Sequence, residues 1–397
     1  MNQTKKKPMK LILWLLLASS TLTVMAGSII GPVVRDIGLG LGVGASAAGL
    51  IITMHGVFVF MLSPAAGSLV DKIGSKTPYV IGLILYGIAG GAGVFINSYY
   101  LLLFSRALLG VAVALIFTSV TVIILNLYHG KEKDKAMGFR GSANSMGAAI
   151  WPLIGGFLGT ISWHLTFSVY LVAIPLGVLS LRYMPEVHRE RVEANKETVF
   201  SVFKKKPVLI AIYVLMLLTN ILLYVNVVYL PQILDDIGIQ TTFQVGLLLS
   251  LMGLSAAVTA SRYDKIKKRL YYQKIIPATM LLWTTGFSLI FFFNSLWSTV
   301  LSVVLFGVGL GMMLPTVMLW IGDVVSSSFL GRFSSYLSTF GFLGQFLSPI
   351  LFAPIFELFG LQEIFLAASI TTLFGLFLSL LNLYLKKSDG RTFIYLD

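Results

Sequence analysis

The sequence predicts an all-α integral membrane protein of twelve spanning helices, arranged as two six-helix repeats. Three observations lead there. Hydrophobic residues make up 57% of the 397-residue chain and charged residues only 11%, where an ordinary globular chain carries about 25% charged residues. The apolar residues form runs long enough to cross a bilayer, which takes about 20 residues in a helix. The 29 Lys and Arg stand in short clusters between those runs, which is how a membrane protein marks its cytoplasmic side.

These features also exclude function classes. A net charge of +13 suits nucleic acid only when the bases line one face or one domain, and here they alternate with apolar runs. No nucleic-acid partner is expected. With no Cys, disulfides, thiol catalysis and thiolate metal sites are absent. No paired acid–base constellation or metal cluster supports an enzyme, and no cofactor is expected. Gly38-Leu39-Gly40-Leu41-Gly42 superficially suggests a nucleotide loop, but it follows a spanning helix rather than a strand and lacks a P-loop Lys.

Taken in order, the first span covers 11–34 and follows Lys5, Lys6, Lys7 and Lys10. Val24-Met25-Ala26 would pass as a cleavage site. The apolar stretch exceeds a signal core, however, and eleven spans follow, so it reads as an uncleaved helix. The next spans cover 45–70, 78–96, 100–127, 136–162 and 165–184. The third carries Gly87, Gly90, Gly91 and Gly93, which suit close packing. Residues 185–207 form a charged connection between bundles at 1–184 and 208–397. The second bundle holds spans 208–234, 242–261, 272–293, 296–325, 331–358 and 363–385. The runs are too apolar all round for soluble amphipathic helices, and the short alternating segments of a transmembrane barrel are missing. Every basic residue but Arg35 and Arg106 falls on one side of this arrangement, which places both termini in the cytoplasm of a multi-pass cell-membrane protein.

The halves repeat each other. Pro32-x-x-Arg35-Asp36-Ile37-Gly38 recurs as Pro231-x-x-x-Asp235-Asp236-Ile237-Gly238. Gly147-x-x-x-Trp151-Pro152 recurs 197 residues on as Gly344-x-x-x-Ser348-Pro349, and Gly110 maps to Gly307 at the same offset. Asp71-Lys72-Ile73 has an echo in Asp264-Lys265-Ile266. Two parallel six-helix repeats are a known plan for secondary transporters.

At these residues the chain resembles the major facilitator superfamily over its whole length. Between spans 2 and 3, Gly67-Ser68-Leu69-Val70-Asp71-Lys72-Ile73-Gly74-Ser75-Lys76 is similar to the family's Gly-x-Leu-x-Asp-Arg-x-Gly-Arg-Arg/Lys. Lys72 replaces the usual Arg, and Ser75 loses a charge. Gly67 suits close helix contact and Gly74 a tight turn. Asp71 suits a helix N-terminus; the resemblance places that partner at the start of helix 11, near Gly331, and implies a cytoplasmic gate. Arg106-x-x-x-Gly110 in span 4 looks like an element of drug–proton antiporters. A membrane Arg costs about 2.5–3.5 kcal/mol on insertion scales, so it needs a reason; snorkelling to the interface is the bland one. Gly147-Ala148-Ala149-Ile150-Trp151-Pro152-Leu153-Ile154-Gly155-Gly156 resembles the antiporter element Gly-x-x-x-Gly-Pro-x-x-Gly-Gly, with Trp151 in place of the Gly before Pro152. Pro152 bends the helix.

The resemblance to twelve-helix drug–proton antiporters implies proton-coupled efflux of drugs or amphipathic compounds by alternating access, in a chain acting as a monomer. A specific metabolite or organic-anion carrier of the same fold is the alternative, given so few buried acids; a non-transporting sensor is the alternative of another class. The proton carrier is His55, an end-placed acid such as Asp36, or the substrate itself, with Arg106 tuning its neighbours. Candidate substrate contacts are Met25, Asn144, Trp151, Asn220, Tyr224 and Gln345, with Thr23, Met252, Met312 and Met313 adding surface that can repack.

Overall fold

A computed structural model describes residues 3–186, 203–325 and 327–388; side chains at 3–8, 131, 134, 327–332, 334–335 and 386–388 lie outside the description. The described chain is helical from end to end. In order, the helices are α1 (Gln3–Ser28), α2 (Val34–Leu41), α3 (Ala45–Ile73), α4 (Lys76–Gly91), α5 (Tyr99–Leu127), α6 (Gly130–Gly159), α7 (Trp163–Ser168) and α8 (Ala173–Tyr183). After the connection come α9 (Val208–Asp236), α10 (Thr242–Ala260), α11 (Tyr263–Phe293), α12 (Leu296–Val324), α13 (Ser327–Phe359) and α14 (Leu361–Ser388).

Several predicted spans are broken for local reasons. The first one splits at Gly31-Pro32-Val33, a 3-10 turn with Pro at its start; Pro brings no N–H to the ladder. The third ends in a 3-10 turn at Ala92–Val94. The sixth is α7 and α8 joined by the 3-10 turn Val169–Val172. In α11, Tyr271 has φ 51° and ψ 166°, so residues 263–270 form a helical segment before the kink. The span predicted from 272 begins where the kink ends.

Eleven stretches among the described residues are long and apolar enough to cross a membrane. The predicted fifth span is the exception. Its helix α6 is 30 residues long, about 45 Å at 1.5 Å per residue, and so as long as its neighbours. Its first half carries Glu132, Lys133, Lys135, Arg140, Ser142, Asn144 and Ser145, which dilute its apolar character. A helix polar on one side needs partners to hide that side from lipid.

The chain divides into two compact units, 1–191 with 240–250, and 192–239 with 251–397. The beginning of α10 therefore belongs with the first unit. Each unit contains the same glycine contact. A Cβ at Gly110 would stand 2.4 Å from the His55 carbonyl oxygen, and one at Gly307 would stand 2.3 Å from the Met252 carbonyl oxygen. Both members of the pair are 197 positions apart between units, so the repeat is visible in packing as well as in sequence. The Asp264-Lys265-Ile266 echo is different. Asp71 lies in the last turn of α3 and Asp264 in the first turn of α11, so these triplets occupy opposite ends of helices.

Candidate functional site

The loop between α3 and α4 is built by Gly74, whose φ of 86° lies in the left-handed region that favours glycine. Only Gly74 and Ser75 separate α3 from α4. Asp71 and Lys72 are exposed at the end of α3. The Lys76 amide at the start of α4 donates to Glu186 Oε1 at 3.2 Å, so a carboxylate from just beyond α8 sits at the positive end of a helix. That contact was not anticipated from the sequence; its signal was an acid directly after the Pro that ends the first bundle. Gly67 differs from expectation. A Cβ there would meet no atom within 4 Å, so the close helix contact expected of it is not made. The expected partner of Asp71, near Gly331, has its side chains outside the described residues.

Arg106 is fully buried at 0% exposure, which removes the snorkelling alternative. Its Nη2 donates to the carbonyls of Ala89 at 3.0 Å and Gly90 at 2.8 Å, and to Ser105 Oγ at 3.0 Å. Those carbonyls belong to the last turn of α4, where the helix dipole is negative and carbonyls lack helical partners. The guanidinium also lies 5.0 Å from the ring centroids of both Phe167 and Tyr170, close enough for cation–π attraction. Tyr170 is fixed in turn by donating to the Ala26 carbonyl at 2.8 Å. Backbone oxygens and aromatic faces thus hold the charge. Arg106 Nε and Nη1 are sealed from solvent without an acceptor.

His55 is buried on α3. It lies within electrostatic range of Arg106. Gly110, one turn beyond Arg106 on α5, lets the two helix backbones meet at His55. The Arg-x-x-x-Gly spacing therefore joins a charge and an imidazole in one packed unit. Asp36 is elsewhere, in the first turn of α2, half-buried and 3.8 Å from Arg35.

Helix α6 has two faces at its Pro152 bend. Gly155 meets the α1 end, where a Cβ would fall 1.8 Å from the Ile29 carbonyl oxygen. Gly156 meets the start of α10, where a Cβ would fall 2.5 Å from the Thr242 carbonyl oxygen; Thr242 Oγ1 donates to the Gly156 carbonyl at 2.8 Å. Gly147 packs against Thr21 and the Trp151 indole. Trp151 Nε1 donates to the Thr21 carbonyl at 3.1 Å, and its repeat mate Ser348 donates to the Ile221 carbonyl at 2.8 Å. The residue before Pro ties the bent helix to the first helix of its own unit in both cases.

The expected substrate contacts separate into two groups. Asn144, Trp151, Asn220 and Tyr224 are half-buried, and Gln345 is buried. Asn220 packs beside Gly341 and Gly344 and donates to the Met216 carbonyl at 2.9 Å. Met25 is corrected: at 0% exposure it is sealed within helix packing and lines no accessible surface. Met313 is sealed likewise, and Met252 and Met312 are buried. Long flexible thioethers fill irregular gaps between helices, and that packing role is the one observed.

Arg140, one of the basic residues that mark the cytoplasmic side in the sequence, is buried at 6% exposure. Its Nη1 donates to Thr121 Oγ1 at 2.7 Å and Nη2 to the Phe117 carbonyl at 3.5 Å, and the guanidinium lies 4.7 Å from the Phe117 ring centroid. In the second unit, Tyr272 donates to Asp323 Oδ2 at 2.6 Å, and Lys267 lies 3.6 Å from the same oxygen.

A family model described as the Major Facilitator Superfamily matches residues 16–272 and 268–393. The chain belongs to the major facilitator superfamily. It is 25% identical over 382 residues to a bacillibactin exporter of Bacillus subtilis (strain 168), covering 92% of this chain and 94% of that protein. It is 23% identical over 351 residues to the quinolone resistance protein NorA of Staphylococcus aureus (strain Mu50 / ATCC 700699), covering 83% and 86%. Its fold matches the crystal structure of the nucleoside transporter NupG (D323A mutant) with a TM-score of 0.77 at 14% identity, covering 93% of this chain and 98% of that one. The protein is therefore a multi-pass membrane transporter of this superfamily, a class that carries small molecules and is not enzymatic.

Proposed function

We propose that this transporter exports amphipathic small molecules, drugs among them, by alternating access coupled to protons. The observation that carries this reading is the similarity, over most of the chain, to a bacterial bacillibactin exporter and to a bacterial quinolone resistance protein. The packed Arg106–Gly110–His55 unit supports the proton part. It holds a titratable ring beside a permanent charge, away from water. In this reading the bundles 1–184 and 208–397 rock about the connection 185–207. The protein works as a monomer in the cell membrane with both termini cytoplasmic. Asp71 with Gly67, Lys72, Gly74 and Lys76 forms the gate, and Pro152, Gly147, Gly155 and Gly156 set the bend of α6. Asn144, Trp151, Asn220, Tyr224 and Gln345 meet the cargo.

A second reading, transport of an organic anion, is favoured by one observation. The buried Arg, Lys, Asp and Glu side chains among the described residues are Arg106 and Arg140. A buried carboxylate would suit cationic drugs; Asp235, with one oxygen sealed, is only half-buried.

Overexpression in a drug-sensitive bacterium, with a panel of dyes and antibiotics, separates the readings. Resistance to several unrelated compounds supports multidrug export. A null panel with redistribution of one anionic metabolite supports the second reading.

A further inference from the structure

Two buried arginines in the first unit are held differently, and the difference assigns them different work. Arg106 has its free nitrogens sealed, with Nε and Nη1 out of reach of solvent. It is embedded in packing and cannot touch a ligand in this state. Arg140 is bound more sparingly. A guanidinium carries five N–H donors. Thr121 takes one at 2.7 Å, and the Phe117 carbonyl takes a second at the long distance of 3.5 Å. Arg140 Nε is not among the nitrogens sealed without a partner, as Nε of Arg106 is, so this donor keeps access to space beside the helix.

The place is suited to a ligand rather than to water alone. Arg140 stands ten residues into α6, about 15 Å along its axis, and is itself more than nine-tenths buried. No carboxylate partner occurs among the described residues, where Arg140 bonds only to a hydroxyl and a carbonyl. Phe117 lies against the guanidinium at 4.7 Å and offers an apolar aromatic face. Asn144 follows one turn later, the spacing that shares a helix face. Its Oδ1 is sealed from solvent, so it belongs to the packing beside the guanidinium. A permanent cation with a spare donor and an aromatic wall match an aromatic carboxylate.

We propose that Arg140 is an anion-selecting contact of this transporter, receiving the carboxylate of an amphipathic organic anion with Thr121 orienting the guanidinium and Phe117 stacking on the apolar part. The assignment rests on the transporter reading and names the class of cargo that its first unit recognises. Thr121 is a positioning residue, since it acts through Arg140.

The test is equilibrium binding by the full-length protein in phosphatidylcholine nanodiscs, read by fluorescence anisotropy. The probes are carboxyfluorescein, an anion, and rhodamine 6G, a cation on the same ring system. The wild type binds carboxyfluorescein the more tightly. Arg140→Gln weakens carboxyfluorescein by about tenfold or more, the loss of a charge-assisted pair, and leaves rhodamine 6G unchanged. Arg140→Lys lies between, because a point charge replaces a fork. Thr121→Val weakens the anion alone, to a smaller extent. On the wild type itself, 2-naphthoate displaces carboxyfluorescein and 2-naphthylmethylammonium does not, which keeps the test decisive if Arg140→Gln does not fold. Equal loss of both probes in a folded Arg140→Gln, or equal displacement by both naphthyl compounds, overturns the proposal. Export is measured separately in everted vesicles. Absence of export with intact anion selection removes the exporter reading alone, and export without anion selection removes this proposal alone.

Discussion

Gly110 presses against the backbone of His55 so closely that a Cβ at position 110 would stand 2.4 Å from the His55 carbonyl oxygen. The contact explains why a glycine belongs one turn after Arg106. Only a residue without a side chain lets α5 approach α3 there, and that approach sets the spacing between the arginine and the imidazole. Gly110→Val is expected to destabilise the protein by about 1–3 kcal/mol, the range for overpacking a filled site. Thermal unfolding in detergent measures it. Gly307→Val, at the matching contact with Met252 in the second unit, should destabilise to a similar degree. Melting temperatures equal to wild type in both variants would contradict the packing account.

Arg106→Ala is expected to abolish proton-driven transport, and Arg106→Lys to retain part of it. The alanine takes the Nη2 donor from the Gly90 carbonyl, while the Ala89 carbonyl keeps Ser105 Oγ at 2.6 Å; a buried group left unsatisfied costs about 1–3 kcal/mol. A lysine ammonium can still reach the negative end of α4, though without the fork. Proteoliposomes under an imposed pH gradient provide the assay. Wild-type uptake by Arg106→Ala would make the residue a replaceable packing element.

Asp71→Asn is expected to leave the protein folded and largely inactive, because a carboxylate at the loop carries the gate in the proposed mechanism. The chain has no native Cys, so single cysteines can be placed beside the loop and labelled from the cytoplasmic side. Labelling and transport both at wild-type level would remove Asp71 from the gate.

Glu186→Gln is expected to loosen the start of α4. Its carboxylate accepts from the Lys76 amide, and an anion at a helix N-terminus contributes about 0.3–1 kcal/mol. Hydrogen exchange at the first turn of α4 should accelerate by a few-fold while the core of α5 stays protected. Unchanged exchange would show that the amide itself, rather than the charge, suffices.

The helices were legible because lipid imposes a simple demand: about 20 apolar residues in a row. α6 was legible only by position, since the polar residues of its first half, Glu132, Lys135 and Ser142 exposed among them, dilute the apolar run. Gly67 carries the motif signal for a close helix contact that its open neighbourhood does not make, whereas Gly110, legible only as part of Arg-x-x-x-Gly and of the repeat, makes one. The cage of Arg106 was hidden because Phe167 and Tyr170 lie sixty residues on and carry no spacing signal of their own. The burial of Arg140 was not legible because Lys133 and Lys135 precede it, and burial of one charge in a basic cluster leaves no mark in composition. Met25 shows the reverse error, since depth in a span does not separate cavity wall from sealed packing.

In the proposed mechanism the packed Arg106–Gly110–His55 unit couples protons to export. His is the side chain whose ordinary pKa, about 6.5, lies in the working range, and His55 is the buried one on α3. The most direct measurement is proton release on substrate addition to detergent-solubilised protein, beside gradient-driven transport by the same preparation. His55→Gln is predicted to bind substrate as wild type does, to release no protons and to lose transport driven by the pH gradient. Proton release and gradient-driven transport at wild-type levels in His55→Gln, together with loss of both in Asp36→Asn, would contradict the claim and assign coupling to Asp36.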